Sequence, residues 1–79
     1  MITSGQIKAA RALVGLTVAE LAKEAKIGFT TMVRLEASDG VPSGTVRTLD
    51  SVQKALEKAG IEFIGNPENG AGVRWKLKS

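Results

Sequence analysis

Glycine punctuation limits most strongly how this chain can fold. Gly15, Gly28, Gly40 and Gly60 bound stretches with helical apolar spacing, so the chain up to residue 60 divides into several short helices rather than one long one. Ser4 is expected to cap a first helix in which Ile7, Ala10, Leu13 and Val14 recur at helical spacing, with Gly15 as a left-handed stop. Thr17 and Glu20 have the spacing of a capping box. They open a second helix, Val18–Ala25, with Val18, Leu21, Ala22 and Ala25 as its inward stripe. After the link Lys26-Ile27-Gly28, a third helix is expected over Phe29–Ala37. Met32 and Leu35 face inward there, and Ser38-Asp39-Gly40 stops it, although Thr30, Thr31 and Val33 are only fair helix formers. Residues 41–44 read as a loop containing Pro42. Ser43 is expected to cap the longest helix, traced by Val46, Leu49, Val52, Leu56 and Ala59 and closed by Gly60.

The period then changes. Residues 61–64 and 73–78 read as strands, the second alternating Val73, Trp75 and Leu77 with Arg74, Lys76 and Lys78. Between them residues 65–72 are rich in turn formers, including the pair Asn69-Gly70, so the tail reads as a β-hairpin. The expected fold is mainly α: four helices followed by a C-terminal β-hairpin.

Composition bounds the function. At 79 residues and 43% hydrophobic, the chain can bury one modest core, so one compact unit is expected. It contains no cysteine, histidine or tyrosine, which removes thiolate zinc sites, cysteine nucleophiles, the commonest metal ligand and the commonest general base. A binding module is therefore favoured over an enzyme, with no metal and no cofactor. A net charge of +3 and a pI near 9.6 hint mildly at nucleic acid. Counted along the sequence, Arg34 in the third helix is balanced by Glu36, and the excess charge belongs chiefly to the first helix and the tail. No apolar run approaches the ~18 residues of a membrane span, and no signal-peptide layout opens the chain. The expectation is a cytoplasmic, nucleoid-associated protein with no membrane partner.

Two short helices joined by a tight link allow one to brace on a DNA backbone while the other enters the major groove. Residues 16–36 resemble the helix-turn-helix of the phage repressor and Cro class of regulators, the XRE class. The matching positions are Leu16-Thr17, Glu20-Leu21-Ala22, Ala25, Ile27, Thr31, Met32, Leu35 and Glu36. With the flanking helices, the resemblance extends from about residue 5 to residue 60. It implies a four-helix repressor-like DNA-binding domain over 1–60, its helix-turn-helix at about 17–37, with the hairpin tail 61–79 part of the same unit. The chain departs from the family's pattern twice: Lys26 stands where glycine is usual in the turn, and Gly28 where a capping serine or threonine is common. A residue at position 26 often needs positive φ, which costs a non-glycine side chain ~1 kcal/mol. Gly28 can cap only through its backbone.

The resemblance also implies site residues. Arg11 and Glu36 occupy the positions of a structural salt bridge between the first and third helices; the alternative is two solvated charges. Phe29, Thr30 and Arg34 match positions that meet base edges, and Val18 matches a second-helix position near the groove. Arg34 suits a bidentate contact to guanine, and Phe29 suits a thymine methyl. Burial against the tail or the fourth helix is the competing role for Phe29, and helix-start chemistry for Thr30 and Thr31. Phosphate contacts are expected from Thr17, Lys26, Gly28, Thr31, Ser43, Thr45 and Arg47. Lys8, Lys23, Lys54 and Lys58 read as solvated, balanced by Glu20, Glu24 and Glu57.

A lone two-stranded hairpin is marginal in water, so Phe63, Ile64, Val73, Trp75 and Leu77 are expected to pack on the fourth helix, on a second copy, or on both. Contact of Arg74, Lys76 and Lys78 with nucleic acid is the competing role. Short regulators of the class often carry a tail resembling Gly60-Ile-Glu-Phe-Ile64 followed by Gly72-Val-Arg74. The expected function is sequence-specific binding of double-stranded DNA, as a repressor, with helix 29–37 in the major groove of a palindromic operator and the protein a homodimer. The alternative is a protein-interaction module with a protein partner, such as an antitoxin or adaptor.

Overall fold

A computed structural model describes residues 2–42 and 46–76. Four helices, α1 (Ser4–Val14), α2 (Val18–Ala25), α3 (Phe29–Ala37) and α4 (Val46–Lys58), precede an antiparallel hairpin of β1 (Ile61–Asn66) and β2 (Asn69–Trp75). The fold is mainly α, as the glycine spacing and the change of period imply.

The start of α1 differs from expectation. Thr3, not Ser4, is the N-cap: its hydroxyl accepts from Gln6 N–H, and its own N–H donates to Gln6 Oε1 at 2.8 Å, a complete capping box. Ser4 is instead buried. Its hydroxyl lies 2.6 Å from Ser38 O and 2.9 Å from Gly40 O, and its N–H donates to Gly40 O, so it ties the start of α1 to the segment after α3. Gly15 ends α1 in the left-handed region as expected. Ser43, Thr45, Leu77 and Lys78 lie outside the described residues.

Ile7, Ala10, Leu21, Met32, Leu35, Val52, Leu56 and Ile61 form the centre of the core, with Ile2, Ala22, Ala25 and Leu49 completing it. Three residues of the expected stripes lie outside it: Val46 is 70% exposed, and Leu13 and Ala59 are exposed as well.

The hairpin is longer than its sequence pattern suggests. Turn formers at 65–66 and 69–72 are drawn into the strands, and the chain reverses at Pro67-Glu68 rather than at Asn69-Gly70. A bulge makes this possible. Asn66 opposes both Asn69 and Gly70, and Gly65 at φ 72° lies so close to Gly70 that a Cβ would run into its carbonyl. Ile61 pairs with Trp75 and Phe63 with Val73, placing these four on one face; Glu62 and Arg74 pair on the other, joined by an ion pair of 2.8 Å.

The apolar face lies against the helices. Phe63 and Val73 pack on the core, while β1 contacts α4 and both strands contact α1. Buried Gln6 fastens this arrangement, its Nε2 donating to Ile64 O at 3.1 Å and Gly72 O at 2.9 Å. The support the tail finds is thus α1 as well as α4.

Candidate functional site

The α2–link–α3 unit is built by local hydrogen bonds. Thr17 caps α2: its hydroxyl accepts from Glu20 N–H, and its N–H donates to the Glu20 carboxylate at 2.8 Å. That backbone bond, with the Thr17 hydroxyl contact behind it, holds the Glu20 carboxyl below its ordinary range. Lys26 closes α2 at φ 58°, the one non-glycine residue with positive φ among the described residues. Its strained backbone lets Ile27 N–H bond Ala22 O at 3.0 Å and turns Ile27 toward the core. Gly28 is the N-cap of α3, with no side-chain cap, so the first turn of α3 offers free amides.

Arg11 fixes α3 from the opposite side. Its Nε and Nη2 donate to the two carboxylate oxygens of Glu36 at 2.8 and 2.9 Å, and its Nη1 donates to Leu16 O at 3.1 Å. Glu36 is only 8% exposed, so this is a shielded bidentate pair rather than two solvated charges.

With Met32, Leu35 and Glu36 turned inward, α3 presents Phe29, Thr30, Val33, Arg34 and Ala37 to solvent. Phe29 is 57% exposed and is buried against neither the tail nor α4. Among the described residues, no ion pair or side-chain hydrogen bond engages the Arg34 guanidinium. Because Glu36 is consumed by Arg11, it does not neutralise Arg34, and the outer face of α3 carries net positive charge. Counting charges along the sequence gave a balanced helix, because such a count ignores which face each charge occupies.

The other expected contact residues divide. Thr17, Lys26, Gly28, Thr31 and Arg47 are exposed, whereas Val18 is half-buried against the core and has little surface for a ligand. In the tail, the Arg74 guanidinium pairs with Glu62. Lys54 pairs with Asp50 one turn away, rather than chiefly with Glu57, and the Asp50 carboxylate raises its pKa. Val33, 42% exposed, is the surface residue that sequence reasoning passed over; its i+4 spacing from Phe29 was the available signal. Trp75 is half-exposed, its ring edge against Gly60. Among the described residues no helix is long and apolar enough to cross a membrane.

No model of a known protein family matches this chain, and no curated protein matches it.

Proposed function

We propose that this protein is a sequence-specific double-stranded-DNA-binding regulator of the repressor and Cro-like helix-turn-helix class, acting as a repressor, with α3 entering the major groove. The observation that carries the reading is the outer face of α3: a cationic, ungated row held rigidly by the Arg11–Glu36 pair, with Arg34 free to meet a base. Thr17, Lys26, Arg47 and the open amides of the first turn of α3 then serve as phosphate contacts that set the register. A binding role, not catalysis, accords with the absence of histidine and cysteine.

One short helix reads few base pairs, so the proposal includes a two-fold dimer on a palindromic operator, with half-sites about one helical turn apart. The half-exposed Trp75, on a sheet that has two strands among the described residues, favours the hairpin as the dimer contact. Selection of sites from a random duplex library by the purified protein tests the reading. An inverted repeat bound with steep salt dependence is expected; failure to enrich any sequence refutes it. Sedimentation tests the dimer. A monomer at tens of micromolar, with Trp75→Ala lowering stability alone, rules out the hairpin contact.

A further inference from the structure

We infer that Phe29 and Val33 form a thymine-methyl reader, so that the recognised half-site contains thymines whose C5-methyl groups seat on this pair beside a guanine met by Arg34. The inference rests on the DNA-binding reading and specifies what that surface selects. Phe29 and Val33 stand four residues apart and are both exposed, an apolar row one turn long that no other part of the described chain covers. A parallel row, Thr30 and Arg34, is also four residues apart and supplies hydrogen-bond donors. The same element therefore offers an apolar strip and a polar strip side by side.

Charge selects the occupant. The exposed residues of α3 include no carboxylate, since Glu36 is turned inward onto Arg11, and Lys26 lies exposed just before the helix. An apolar strip on a helix face whose exposed charge is Arg34, with Lys26 before the helix and Asp39 after it, fits a polyanion that itself displays small apolar groups. In the major groove of unmodified DNA the thymine methyl is that group, while guanine O6 and N7 suit a guanidinium.

The test uses the purified full chain and a site enriched by selection, in which each thymine is replaced in turn by deoxyuridine, removing only the methyl. At the thymines facing the strip, affinity is expected to fall about four-fold per methyl, the factor that burial of one carbon group supplies. Val33→Ala and Phe29→Ala should each abolish the deoxyuridine effect at one thymine and keep the guanine preference; both positions are exposed, and circular dichroism checks that the variants fold. Binding of the enriched site unchanged by every deoxyuridine overturns the inference and leaves the DNA-binding reading standing. Dissociation of a DNA-free dimer by either variant assigns the strip to a second copy and also overturns it. Failure to enrich any duplex removes both.

Discussion

From α1, Arg11 reaches two other segments at once: the Leu16 carbonyl in the following loop, and Glu36 at the end of α3. Arg11→Ala leaves the Glu36 carboxylate shielded without its counter-ion, which should cost roughly 2–4 kcal/mol. Thermal denaturation should show a drop of at least about 10 °C at this domain size, and an unchanged melting temperature would refute the bracing role. Lys26 holds the opposite kind of position, one where the chain bears strain. Lys26→Gly should relieve ~1 kcal/mol and raise the melting temperature, while making the salt dependence of DNA binding shallower by about one phosphate contact. A stabilised variant with the parent's salt slope would remove Lys26 from the interface. The Arg11–Glu36 pair and the positive φ at Lys26 were both legible in the sequence, as expectations attached to the resemblance. Ser4 and Gln6 were not. Thr3 and Gln6 have the same box spacing as Thr17 and Glu20, but Ser4 beside them is an equally good cap by type, and only the approach of Gly40 decides between them.

At the scale of elements, α2 depends on a carboxylate at its first turn. The Glu20 carboxyl, held below its ordinary range by the Thr17 N–H, adds stability above the unfolded-state value of roughly 4.3, and that contribution is lost as pH falls through the lower folded value. Glu20→Gln keeps an acceptor for the Thr17 N–H without the charge. Melting curves from about pH 5 down to about pH 3 should therefore fall less steeply for the variant than for the parent; parallel slopes would show that the charge contributes nothing there. Helix limits were readable because glycine and capping boxes act locally. The hairpin's turn was not, because Asn69-Gly70 has the composition of a tight turn but is used as one side of a bulge. The clash a side chain at Gly65 would meet at Gly70 involves residues across the hairpin, and strand composition carries no record of it.

The described residues span 35 × 26 × 19 Å, and the proposed two-fold dimer would need its two α3 helices about one DNA turn, ~34 Å, apart. Rigidity across that span comes from a chain of fastenings. Gln6 holds the hairpin to α1, Ser4 holds α1 to the segment after α3, and Arg11 holds α1 to α3 itself. At this scale the net charge of +3 says less than its distribution. Among the described residues one cation, Arg34, lies unpaired on the outer face of α3, while Lys54 is paired with Asp50 within α4 and Arg74 with Glu62 across the hairpin. On the proposed reading the face of α3, and not the hairpin, meets DNA. Amide chemical-shift mapping of the labelled protein titrated with its selected duplex tests this most directly. The largest perturbations are expected at Thr17, Lys26 and residues 28–34, with smaller ones at Arg47. Perturbations concentrated in residues 61–76, with α3 unmoved, would contradict it.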